Sequence, residues 1–160
     1  MLLACALAAP AGAQQTRLSA PEAGVSAFFP GKPTAERTEV AAPGARTLPV
    51  QAYYVARAGR EWIVMYVEHA ALDAGPGDAE RIEAAVRSFV GNKRLVSRRA
   101  LHVAGLPAEE LVVATGSGMI GRGRLLLAGR WLVQIVYTGP EGTESEPRVL
   151  RFLDSLRIAR

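Results

Sequence analysis

The chain has 160 residues, 49% hydrophobic and 21% charged, a globular composition that excludes an extended disordered protein. Its formal net charge of +4 comes from basic residues spread from Arg17 to Arg160 and interleaved with Asp and Glu, with only Arg98-Arg99 and Arg122/Arg124 close together. No aromatic platform accompanies them, so the pattern argues against nucleic acid binding and for a solvated surface.

Leu2-Leu3-Ala4-Cys5-Ala6-Leu7-Ala8-Ala9 is an uncharged apolar run, followed by Pro10 and Ala11-Gly12-Ala13. Small residues at −3 and −1 of a cleavage site are what signal peptidase requires, so residues 1–13 are expected to be a signal peptide cut after Ala13. The run is far shorter than the roughly 18 apolar residues that span a bilayer, and no transmembrane helix is expected. No Lys or Arg precedes Arg17, so a true start slightly upstream of Met1 is expected. The alternative is a lipobox at Leu2-Leu3-Ala4-Cys5, with Cys5 as a lipidated N-terminus. The expected location is therefore periplasmic or extracellular. Cys5 is the single cysteine, so the segment after Ala13 carries neither a disulfide framework nor a thiolate.

Residues 14–24 are expected to be a flexible N-terminal segment, and residues 25–160 one domain. The first predicted strand is Val25–Phe29, ended by Pro30-Gly31-Lys32-Pro33, where two prolines deny both ladder and helix. Ala35–Val40 and Leu48–Ala56 read as two strands of a meander. Glu61–Val67 is β-branched and aromatic, as suits a central strand buried on both faces. Asp78 is the expected N-cap of an amphipathic helix whose apolar face is Ile82, Ala85, Val86, Phe89 and Val90, ending near Gly91-Asn92. Leu95–Val103 and Glu110–Ala114 flank a turn at Gly105-Leu106-Pro107, and Gly123–Leu127 and Trp131–Tyr137 flank Ala128-Gly129-Arg130. After Gly139-Pro140-Glu141-Gly142, Val149, Phe152, Leu153 and Leu156 recur at helical spacing, a face that docks on the sheet. Antiparallel strands with two helices and no strand–helix alternation indicate an α+β fold, an antiparallel β-sheet flanked by helices.

Four segments carry a family resemblance: Phe28-Phe29-Pro30-Gly31-Lys32-Pro33, the run Val103 to Glu110, the run Arg124 to Ile135, and Phe152-Leu153-Asp154-Ser155-Leu156-Arg157-Ile158. Together they resemble exported bacterial proteins of the PsbP/Mog1-like superfamily over nearly the whole chain beyond the signal peptide. The resemblance implies an α/β/α sandwich, in which helices enclose an antiparallel sheet. It does not imply one function, since one group of that superfamily assists the photosynthetic oxygen-evolving complex and another binds a small GTPase. What it does imply is a habit of binding other proteins without doing chemistry.

Gly116-Ser117-Gly118-Met119-Ile120-Gly121 matches the spacing of a dinucleotide loop, but the following Arg122–Leu127 reads as a strand, and pyrophosphate binding needs a helix N-terminus there. A hairpin connection is expected instead, with Gly116, Ser117, Gly118, Gly121 and Gly123 as candidates for a ligand-covering loop. The two histidines, His69 and His102, show no metal-ligand spacing, although His69 follows Glu68 and precedes Asp73. No serine sits in a nucleophile elbow. Glu109 and Glu110 are neighbours on a strand and point to opposite faces, so they cannot share a substrate. No catalytic residue, metal or cofactor is therefore expected. The expected function is a non-catalytic binding or accessory module for another envelope protein. One alternative is a small-ligand or lipid carrier whose pocket, lined by Trp62, Tyr66, Trp131 or Tyr137, lies under the Gly116–Gly123 loop. The second alternative is an enzyme with a site at His69 or His102.

Overall fold

The structure is a computed structural model and describes residues 15–42, 46–68 and 77–159. Cys5, Ala13, His69 and Asp73 lie outside the described residues.

The chain begins with β1 (Thr16–Ala20), a short 3-10 turn (Pro21–Ala23) and β2 (Val25–Phe29). β1 and β2 pair antiparallel with Ser19 opposite Ser26, and alternation buries Leu18 and Ala20 beside Val25, Ala27 and Phe29. Residues 16–23, expected to fall in a flexible segment, are thus strand and turn, because Leu18 and Ala20 have a core to enter. Such a short alternation carries too little periodicity to be read in isolation.

Next come β3 (Thr34–Ala42), β4 (Arg46–Arg57) and β5 (Arg60–Glu68), then α1 (Asp78–Val90), then β6 (Arg94–Val103), β7 (Leu106–Gly116), β8 (Met119–Ala128) and β9 (Trp131–Pro140). The chain closes with α2 (Pro147–Asp154) and β10 (Arg157–Ile158). Two antiparallel meanders, β3-β4-β5 and β6-β7-β8-β9, join where β5 pairs with β9, giving the seven-stranded order β3-β4-β5-β9-β8-β7-β6. β1, β2 and β10 form a separate three-stranded sheet. Three of the hairpins turn on two residues with positive φ, Ala58-Gly59, Ala104-Gly105 and Ser117-Gly118. That geometry matches the right-handed twist of the strands it joins.

Alternation along β5 shows why this strand is apolar throughout. Trp62, Val64 and Tyr66 face one core, while Met65 and Val67 face another. α1 covers the second core with Ala85 and Val86, flanked by Ile82, Phe89 and Val90, against Leu48, Val50, Leu111, Leu125 and Leu132. Its N-cap is Gly77 rather than Asp78. The Glu80 carboxylate accepts the Gly77 N–H at 2.9 Å, and Asp78 sits in the first turn, where a negative charge faces the helix dipole favourably.

The first core is closed by the small sheet and by α2, which inserts Val149, Phe152 and Leu153. Phe152 meets Phe29 edge-on, with ring centroids 5.2 Å apart. The described residues therefore form a mostly antiparallel β structure with two α-helices. The α/β/α sandwich implied by the resemblance is not what is seen: α1 covers one face of the large sheet, and a second, three-stranded sheet with the short α2 covers the other. No helix among the described residues is long and apolar enough to cross a membrane.

Candidate functional site

Gly116, Ser117 and Gly118 lie at the β7–β8 hairpin, whose two-residue turn is Ser117-Gly118, and Gly121 and Gly123 lie inside β8. The hairpin is tied down by the Glu141 N–H donating to the Gly118 carbonyl at 2.8 Å, and Gly116 and Gly118 line an open pocket of about 400 Å³ with Lys93, Arg94 and Glu141. Gly123 is a packing residue: a Cβ there would stand 2.8 Å from Phe89 Cζ, so its absence lets α1 sit close on the sheet. Trp62, Tyr66 and Tyr137 are buried, Trp131 packs beside them, and their rings touch at centroid distances of 5.5 Å (Trp62–Tyr137) and 5.3 Å (Tyr66–Trp131). These rings pack together within the first core. His102 is exposed on the edge strand β6, opposite Pro107. Among the described residues no three His, Cys, Asp or Glu side chains are grouped to hold a metal ion.

Glu109 and Glu110 part company as alternation requires. Glu109 accepts from Arg98 Nε at 3.0 Å, and Arg98 also binds Glu83 of α1. Glu110 lies on the opposite face, only 4% exposed, where Arg99, Arg122 and Arg124 each donate to it at 2.8 Å. Arg124 reaches on to Asp154 at 2.7 Å, and Arg122 donates to the Glu144 carbonyl and Ser145 Oγ. Burial alone would raise the Glu110 pKa, but the hydrogen bonds from Arg122 and Arg124 outweigh it and bring the carboxyl down to about 2. A carboxylate so thoroughly paired is a poor proton carrier near neutrality. Its role here is a clamp that fastens α2 and the segment before it to β7 and β8.

A second polar assembly opens to solvent. Phe28 and Pro30 at the end of β2, Arg57, Ala58 and Arg60 around the β4–β5 turn, and Arg148, Arg151 and Phe152 of α2 line a cleft of about 450 Å³, with Trp62 beneath. Trp62 and Phe152 are buried, whereas Phe28 stands 43% exposed. The Phe28 N–H donates to Ser155 Oγ at 2.9 Å, and Ser155 Oγ donates to the Phe152 carbonyl, so the β2 and α2 walls are fixed to each other. Arg60 donates two bonds to Glu146, at 2.8 and 3.1 Å, and one to Tyr137 Oη at 3.2 Å; Arg148 reaches the same carboxylate at 2.7 Å. Arg60, with Arg148 second, holds the Glu146 carboxyl down to about 2. Arg57 and Arg151 have no carboxylate partner among the described residues. Four guanidinium groups thus line one cleft, two of them, Arg60 and Arg148, engaged by Glu146.

This cleft is not visible along the chain, where its basic residues are far apart. The pairs that stand out in sequence, Arg98-Arg99 and Arg122/Arg124, are the ones absorbed by Glu83, Glu109, Glu110 and Asp154. Arg148 and Arg151, three apart on a helix whose opposite face is core, were the available signal.

No family model and no curated protein matches the chain. Among solved structures, cyanobacterial PsbP (CyanoP) from Synechocystis sp. PCC 6803 is similar with a TM-score of 0.62 at 13% identity, covering 97% of this chain and 99% of that one. A protein of unknown function from Pseudomonas aeruginosa, PA94, described as a putative regulator, aligns at a TM-score of 0.49 and 15% identity over 91% of this chain and 97% of that one. At such identities the likeness speaks for fold alone, and the first of them extends over the whole architecture: the chain has a PsbP-like fold.

Proposed function

We propose that the chain is an exported, non-catalytic binding module of the cell envelope that recognises another protein, built on a PsbP/Mog1-like sandwich. The supporting observation is the cleft between β2, the β4–β5 turn and α2. It offers two guanidinium groups without carboxylate partners beside an exposed phenylalanine, the combination of aromatic and Arg anchors in which interface energy concentrates. The carboxylate of Glu110, by contrast, is saturated by three arginines, an arrangement that does not favour chemistry. The carrier alternative would need interior space that the stacked aromatic rings occupy.

The test is affinity capture from the native envelope fraction, with the captured protein then used as bait in return. A single protein recovered in both directions is the expected result. A lipid or metabolite that co-purifies stoichiometrically without any protein would overturn the reading in favour of a carrier.

A further inference from the structure

The chemistry of the cleft also narrows what it can hold. A guanidinium fork matches a carboxylate in two parallel hydrogen bonds, and Arg57 and Arg151 are the forks left unpaired around this opening. Arg60 and Arg148 cannot serve equally, because Glu146 already engages both. Beside the two free forks lies the exposed ring of Phe28, with Pro30 next to it and the buried Phe152 and Trp62 behind. A ligand that satisfied the whole surface would present an acidic group next to an apolar one.

The cleft is open to solvent instead of enclosing its contents, whereas a pocket for a free small molecule buries roughly 70–90% of its ligand. It is shaped to take side chains that project from a larger body. Among larger bodies, an acidic membrane surface calls for a cluster of about four to eight basic residues, and only two of these arginines are free. A single-stranded nucleic acid calls for successive stacking rings, and one ring is exposed.

We propose that the cleft docks an acidic peptide segment of the partner protein, with one Asp or Glu carboxylate held by Arg57 and Arg151 and a neighbouring apolar side chain laid on Phe28. This assignment rests on the protein-binding reading above and names what that partner must present. The Arg57 and Arg151 side chains make no polar contact among the described residues, so replacing them removes the forks while leaving the fold intact.

The experiment is a nitrogen-15 NMR titration of the chain, at low ionic strength, with a capped peptide containing Asp-Phe-Glu, and in parallel with its Asn-Phe-Gln counterpart. The expected result is saturable shifts confined to Phe28, residues 57–62 and residues 148–152 for the acidic peptide, with affinity falling at least tenfold in the Arg57→Gln/Arg151→Gln variant. Arg57→Lys/Arg151→Lys keeps the charge but loses the fork and should fall in between. Equal binding of the neutral peptide, shifts elsewhere, or indifference to the double substitution would overturn the assignment. So would binding of phosphatidylglycerol vesicles that depends on both arginines while the acidic peptide does not bind. Repeating the affinity capture with the Gln variant separates this inference from the one beneath it. A partner still retained overturns the cleft alone, and no partner for either form overturns the binding-module reading itself.

Discussion

Glu110 sets the strongest single-residue constraint in the molecule. Removing a carboxylate that three arginines face would leave the part-buried Arg122 without a carboxylate and the buried Arg124 with only the exposed Asp154, a kind of loss that costs about 3–5 kcal/mol at most. Arg99 is largely exposed and adds little to that figure. The same carboxylate makes stability depend on acid. Its folded-state pKa, about 2, lies below the ordinary value of 4.5, so the stabilisation is fully present above roughly pH 5 and is lost as pH falls through 2. The difference corresponds to about 3 kcal/mol. Urea denaturation at pH 7, 4 and 2.5 should show this decline in the native chain and a much shallower one in Glu110→Gln; parallel declines would remove Glu110 as the cause. A smaller effect sits at Ala104, whose φ of 52° is left-handed backbone that Asn tolerates better than Ala. Ala104→Asn, completing an Asn-Gly turn, should raise stability by about 0.5–1 kcal/mol in the same assay. The burial of Glu110 was legible in part. Arg122 and Arg124 alternate within an otherwise apolar strand, so they share a face that must contain a partner, but which carboxylate it is depends on register, which the chain does not display.

At the level of elements, α1 and the inner strands of both meanders were readable because each repeats its apolar positions with a clean period, 3.6 for the helix and 2 or continuous for the strands, whereas the edge strands β3 and β6 are exposed almost throughout. β1 was not, because Leu18 and Ala20 are its only buried positions and their burial depends on a core assembled from distant segments. α2 was placed by Val149, Phe152 and Leu153, yet Gly139 and Pro140, read as the lead-in to the helix, turned out to end β9. The cleft was illegible for a plainer reason: its walls come from three elements brought together only by the tertiary fold. Close packing of α1 on β8 gives this scale its test. Gly123→Ala drives a methyl group toward Phe89 and Val136, and overpacking of this kind costs about 1–3 kcal/mol. Combining it with Phe89→Leu should recover part of the loss, with a coupling of about 0.5–2 kcal/mol in a double-mutant cycle. Strict additivity would mean that the ring swings aside without cost and that Gly123 is not what seats the helix.

Across the whole molecule, nearly every strand pair in the large sheet is a hairpin between consecutive segments, and the exception is the pairing of β5 with β9, where Val64 faces Ile135. All of α1 and β6–β8 lies between them in the chain. The entropy of closing that long loop must be met before the joint returns any contact energy, whereas the hairpins close cheaply. Refolding should therefore be limited by the meeting of the two meanders and occur in milliseconds to seconds. Trp62 is suited to report it, since its ring is buried against Tyr137 of β9 only once the joint exists. In a Trp131→Phe background, stopped-flow fluorescence of Trp62 should follow the main refolding phase. Val64→Ala removes buried contact at the joint, at a cost of about 2 kcal/mol. If half of that contact is present at the barrier, refolding slows about fivefold. Were Val64→Ala to speed unfolding alone, the joint would form after the barrier, and the slow step would lie within a meander or in the docking of the small sheet and α2 on the finished one.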